Sequence, residues 1–198
     1  MNGTEQLFEH IHSISGMTRA EFDLSGSFWE HKTYKKYEFY NTYKNVCRHL
    51  AFVLGGVFRI YKYHESAGAE KNIMFFSPRQ FMSSFKSFLT QTPCEYYTES
   101  MTESEVLYIH HSKLQHLYRI SSAWEHFGRV FAEAALNAVM SSTESLLFKT
   151  PEERYLELAE TYPQLIDALP LYHIASYLGI EAPSLSRIRR RVARKSRY

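Results

Sequence analysis

The chain is poor in the residues that staple or span. Its 198 residues include two cysteines, Cys47 and Cys94, too few for a disulfide framework and without the spacing of a zinc site. No apolar run approaches the roughly 20 residues that a membrane span needs. The first ten residues also lack the basic and apolar regions of a secretory signal, so a cytoplasmic protein with reduced thiols is expected. Acid is absent from residues 182–198, where Arg187, Arg189, Arg190, Arg191, Arg194, Lys195 and Arg197 give a local charge of +7. Because the whole chain carries only +2, the first 181 residues carry −5. A mildly acidic body with a strongly basic end points to nucleic acid or an anionic membrane surface. What is abundant is apolar and aromatic: 44% hydrophobic residues, with 15 Tyr and 14 Phe, the composition of a core-forming chain.

The first 120 residues read as β, apart from a helical spacing of Leu7, Phe8, Ile11 and Ile14 over Glu5 to Ile14. Val46 to Tyr63 is rich in β-branched and aromatic residues and holds Gly55-Gly56, the mark of a bulge or sharp turn within a strand pair. After a polar turn at Glu65 to Glu70, Asn72 to Phe76 and Tyr96 to Ile109 supply further strands. Close spacing of short strands predicts a small antiparallel barrel or roll. From Lys113 the period changes. Ile120, Trp124, Phe127, Phe131, Ala134 and Ala138 form a seam at steps of three and four in a proline-free segment reaching Phe148, long enough for about 50 Å of helix. Val130, Leu136, Val139 and Met140 lie off that seam, so one face is expected to pack on the chain's own β-rich part and the other on a twin helix, with the seam as the dimer interface. A single buried helix is the alternative. Gly128 interrupts the segment, and close approach of a neighbouring backbone would account for it.

Thr150-Pro151-Glu152-Glu153 reads as an N-cap, a proline at the first helical position and acids in the first turn. The expected organisation is therefore residues 1–112 as a β-roll, 113–149 as a long helix and 150–198 as a separate C-terminal unit. In that unit Leu171 to Leu178 forms a short helix with Ile174, Ala175 and Leu178 on one side, capped by Gly179. Pro183 then opens a second helix whose buried stripe is Leu185, Ile188 and Val192. This spacing is that of a helix-turn-helix. Arg187 is placed for bidentate contact with guanine, Ser184 and Ser186 for phosphate, and Arg190, Arg191 and Arg194 for backbone or groove walls. A solvated basic tail is the alternative, but a tail has no need of apolar residues in register.

The run from His173 to Ile180, the Ser184-Leu185-Ser186-Arg187-Ile188-Arg189 run, the seam helix and the β-rich half with Phe52 to Arg59 together resemble the Crp/Fnr superfamily of cyclic AMP receptor-like bacterial transcription regulators. The resemblance implies an α+β architecture: an N-terminal cyclic-nucleotide-binding-type antiparallel β-roll, a long dimerisation helix and a C-terminal helix-turn-helix of winged-helix type that binds double-stranded DNA. RNA polymerase and a small-molecule effector of unknown identity are the further partners it implies. Departures are equally informative. Where cyclic AMP receptors carry a Gly-Glu pair for the ribose and an Arg-Ser pair for the phosphate, this chain has Ser83-Ser84 and Cys94-Glu95. These four residues mark the expected effector pocket, and an acid there opposes a phosphate, so cyclic AMP is disfavoured. Two thiols cannot ligate an iron-sulfur cluster in the manner of the oxygen-sensing branch, and no cofactor is expected. Pro183 stands where relatives often have a base-reading glutamate, and any wing strands are expected before Leu171.

Two competing readings remain. One keeps the DNA-binding unit and makes the roll a ligand-free protein interaction module. The other is a metal-dependent β-barrel enzyme. It requires a strand-borne His-x-His with further ligands, whereas His10-Ile11-His12 falls in a predicted helix and His110-His111 has no evident third partner.

Overall fold

The computed structural model describes residues 2–64 and 68–195. Among the described residues two short helices, α1 (Gly3–Ser15) and α2 (Arg19–Asp23), precede eight strands: β1 (Trp29–Tyr34), β2 (Phe39–Asn41), β3 (His49–Gly55), β4 (Phe58–His64), β5 (Ala69–Phe76), β6 (Phe81–Met82), β7 (Tyr97–Ser100) and β8 (Ser104–His110). Helix α3 (Phe85–Thr90) lies between β6 and β7. The strands form two antiparallel four-stranded sheets, ordered β1-β8-β3-β6 and β2-β7-β4-β5. The expected roll is therefore present, with Ala51, Val53, Phe58, Ile60, Phe76, Met82 and Val106 packed between its sheets. The glycine pair turns β3 into β4. Gly56 has φ +83°, and a Cβ there would stand 2.0 Å from Ser104 Oγ, so both conformation and space demand glycine. Glu65 to Ala67, part of the expected polar turn, fall outside the described residues.

The expected single helix is two helices, α4 (His111–Ile120) and α5 (Ser122–Phe148), separated where Ser121 adopts extended backbone angles. The seam also faces the other way from expectation. Trp124 and Phe127 are fully buried and Phe131 packs beside them, in the same core as Leu7 and Ile11 of α1, Phe22 of α2, and Phe52 and Ile109 of the roll. Trp124 Nε1 donates to the Glu21 carbonyl at 3.0 Å. These three residues are therefore not a dimer surface. A heptad stripe states that a face is covered without saying by what, and here the chain's own α1 and roll cover it first. Ile120, Ala134 and Ala138 are exposed, as is the opposite side, where Leu136, Val139 and Met140 each show more than half of their surface. Gly128 is explained by a side chain rather than a backbone: a Cβ would lie 2.7 Å from the Tyr118 ring of α4.

The C-terminal residues form α6 (Pro151–Thr161), α7 (Pro163–Ala168), α8 (Leu171–Tyr177) and α9 (Ala182–Lys195). Thr150 caps α6 as expected, and Glu153 completes a capping box by accepting from Thr150 N at 2.7 Å. No strand follows β8 among the described residues, so the wing strands expected before Leu171 are replaced by α7, which Pro163 opens and whose Leu165 is buried.

Candidate nucleic-acid interface and effector region

Helices α8 and α9 meet through Ile174, Ala175, Leu178, Leu185 and Ile188, all buried in one core with Tyr155 and Leu158 of α6. The turn between them is held by Gly179 at φ +70°, with Ile180 N donating to Ala175 O at 3.0 Å and Gly179 N to Ser176 O at 3.2 Å, the paired bonds of a Schellman cap. Nothing lies within 4 Å of a Cβ built on Gly179, so the left-handed backbone alone selects glycine. Helix α9 begins at Ala182, one residue before Pro183.

The six residues expected to meet DNA all lie on α9, and they are not equivalent. Arg187, Arg190 and Arg194 are exposed, and Arg187 is steadied by a 3.0 Å bond from Nη2 to Ser184 Oγ, which fixes its direction from the first turn of the helix. Ser184 and Ser186 are half-buried. Arg191 is turned back into an ion pair with Glu152 of α6 and so ties α9 to its own unit. Arg197 lies outside the described residues.

The four effector residues do not converge. Ser83 is fully buried, donating to His49 O at 2.9 Å and lying 3.4 Å from Cys47 Sγ, while Ser84 bonds Thr98 Oγ1 at 3.1 Å. Cys94 is buried against Tyr96, its Sγ 3.3 Å from both O and N of that residue. Glu95 instead lies at the surface between Lys86 and Lys62, at 2.5 and 3.4 Å, and these cations hold its carboxyl below the usual range. It therefore does not face a phosphate site in the roll. Among the described residues no three His, Cys, Asp or Glu side chains are grouped to hold a metal. His10 packs on Phe52 and Phe81 instead.

Sequence reasoning missed the polar junction that seats the helix-turn-helix on the roll. Arg59 of β4 is 5% exposed and donates from Nε and Nη2 to Glu99 Oε2 at 2.8 and 2.6 Å, and from Nη1 to Glu70 Oε2 at 2.6 Å. Its Nη1 also reaches His173 Nδ1 of α8 at 3.1 Å, to which Asn72 Nδ2 donates at 3.2 Å. Ser176 accepts from Asn72 N and donates to Glu70 O, at 3.0 and 3.1 Å, so α8 satisfies the free edge of β5. Both neighbours of His173 Nδ1 are donors, which requires the neutral ring. Burial and the Arg59 charge accordingly push its pKa down to about 4. An arginine inside the apolar run Phe58-Arg59-Ile60-Tyr61 was the available signal, since arginine is seldom buried unless paired.

No protein-family model matches the sequence, and no curated protein matches it. Solved structures do match. FixK2 from Bradyrhizobium japonicum gives a TM-score of 0.69 at 18% identity, over 85% of this chain and 86% of that one. A protein of Eubacterium rectale described as a transcriptional regulator of the Crp/Fnr family gives 0.68 at 14% identity, over 91% and 85%. Catabolite activator protein of Thermus thermophilus gives 0.58 at 16% identity, over 94% and 88%. At such identities the likeness speaks for architecture, and the chain has the fold of the Crp/Fnr regulators, a cyclic-nucleotide-binding-type roll and a long helix leading to a helix-turn-helix.

Proposed function

We propose that the protein is a sequence-specific DNA-binding transcription regulator of the Crp/Fnr type, acting in the bacterial cytoplasm as a homodimer on a two-fold-related site. The observation that carries the reading is α9 itself: Leu185 and Ile188 are buried while Arg187, Arg190 and Arg194 are exposed around it. A basic helix seated on an apolar stripe, one turn after a Schellman cap, can enter the major groove while its arginines meet phosphates and base edges. The Crp/Fnr-type regulators among the structural neighbours support a regulatory role over an enzymatic one. No described helix is long and apolar enough to cross a membrane.

The exposed Leu136, Val139 and Met140 side of α5 supplies the dimer surface in this reading. Control by cyclic AMP is not expected, because Ser83, Ser84 and Cys94 bond within the fold and Phe58, Phe76 and Met82 fill the space between the sheets. Fluorescence anisotropy on genomic fragments at several salt concentrations tests the proposal. Arg187→Ala should cost roughly 1 to 3 kcal/mol on the preferred site alone, whereas Arg194→Ala should weaken all duplexes alike. Equal binding to every fragment, unchanged by Arg187→Ala, would refute it.

A further inference from the structure

A cavity of about 530 Å³ lies between the roll and the C-terminal helices, lined by Ile73 of β5, Ser142 and Ser145 of α5, Arg154 and Tyr162 at α6, and Tyr177 of α8. Its α5 wall has a definite origin. At 3.6 residues per turn, Ser142 and Ser145 continue the inward stripe of Trp124, Phe127 and Phe131 and lie opposite Leu136 and Met140. Below Phe131 that stripe changes from aromatic to small and polar, and the space opens there.

The charge in the wall is uncompensated. Arg154 gives Nη1 to Lys149 O at 2.7 Å and Nη2 to Leu178 O at 2.6 Å, so two of its five N–H donors cap helix ends. Arg154 pairs with no carboxylate among the described residues; its Nε is shielded and without an acceptor, which leaves the remaining Nη protons as the ones a guest can meet. A cation held by carbonyls alone, beside a cavity, favours an anionic guest. Glu157 sets the guest's charge: its carboxylate, bonded by Lys149 at 2.8 Å and Ser145 at 3.3 Å, lines the same cavity and would repel a second negative charge. The rings of Tyr162 and Tyr177 and the apolar Ile73 and Leu146 suit a flat apolar body.

We propose that this cavity is an effector site for a small aromatic monocarboxylate, with the carboxylate on Arg154 and the ring between Tyr177 and the α5 serine face. Its walls come from both the roll and the helix-turn-helix, so a ligand there favours the arrangement in which α8 is seated on β5. Binding itself is independent of the regulatory reading above, and only its consequence for DNA rests on that reading.

The test uses the full chain and sodium benzoate as probe, with benzyl alcohol lacking the charge and inorganic phosphate lacking the ring. Benzoate should raise the melting temperature saturably and shift amide resonances of Ile73, Ser145 and Tyr177, while the two controls do neither. Ser142→Leu, which narrows the cavity at its exposed α5 wall, should leave the ligand-free melting temperature unchanged and weaken benzoate by about tenfold or more. Benzoate without effect, benzyl alcohol or phosphate as effective as benzoate, or Ser142→Leu binding as well as the parent would each overturn the proposal. The binding result stands apart from DNA anisotropy, so failure of one is distinguishable from failure of the other.

Discussion

Lowering the pH from 7 to 5 should loosen the C-terminal helices from the roll, and His173 is the reason. Its Nδ1 is approached by two donors, the Arg59 guanidinium and the Asn72 amide, with Glu70 the nearest acid on β5 and Glu99 held on the far side of Arg59. Protonation would replace both bonds with repulsion, and the folded-state pKa is pushed down to about 4 against 6.5 for a free ring. A histidine depressed in this way leaves stability untouched above pH 6.5. As the pH falls below that value the detached ring binds a proton that the seated ring refuses, and stability is lost down to about pH 4. Between pH 7 and 5 the difference is about 2 kcal/mol, rising toward about 3 kcal/mol below pH 4. His10, His49 and His111 are also depressed by burial, so the parent alone cannot isolate the effect. Urea unfolding of the parent and of His173→Gln at both pH values provides the subtraction. The parent should lose about 2 kcal/mol more than the variant, with the excess confined to the transition that releases the C-terminal helices. Equal pH dependence in the two proteins would refute the assignment of His173 as a neutral acceptor at this junction.

Two further outcomes follow from the long helix. Leu136→Asp with Val139→Asp, at positions 61% and 52% exposed in one chain, should leave the single-chain fold intact but convert a dimer to a monomer in sedimentation velocity; an unchanged mass would place the interface elsewhere. Gly128→Ala gains about 1 kcal/mol of helix propensity, yet brings a Cβ to 2.7 Å from the Tyr118 ring. It should therefore destabilise the protein by about 1 to 2 kcal/mol in chemical unfolding, with recovery when Tyr118→Leu is added, and a stabilised single variant would contradict the packing described.

How far the sequence could be read depended on whether a feature was local. The α6 start was legible because Thr150, Pro151 and Glu153 act within one turn, and the α8-α9 turn because Gly179 has to supply a left-handed residue between two short apolar stripes. The Gly55-Gly56 hairpin was legible for the same reason. By contrast, Trp29 to Tyr34 and Phe39 to Asn41 are strands whose outward residues are aromatic or charged, and the alternation that marks a strand is blurred there. The seam of α5 showed its period but not its partner, and α1, its neighbour in the core, is more than 100 residues away in the chain. The Arg59 and His173 contact spans 114 residues and joins a strand read as apolar to a helix read as DNA-binding, so the arginine in its apolar run could signal a buried pairing but not name the partner. Glu95 was misplaced for a related reason: a position matched along the chain does not say to which side of the roll its side chain turns.

Selection of bound sequences from a pool of random duplexes puts the DNA-reading role of α9 to the test. If α9 reads DNA from a two-fold dimer, the retained duplexes should converge on one motif repeated with inverted symmetry, its half-sites about 10 base pairs apart, and Arg187→Ala should blur one base position in each half. Retention of the pool without enrichment, or a motif with no symmetry, would rule out a two-fold dimer reading DNA through α9.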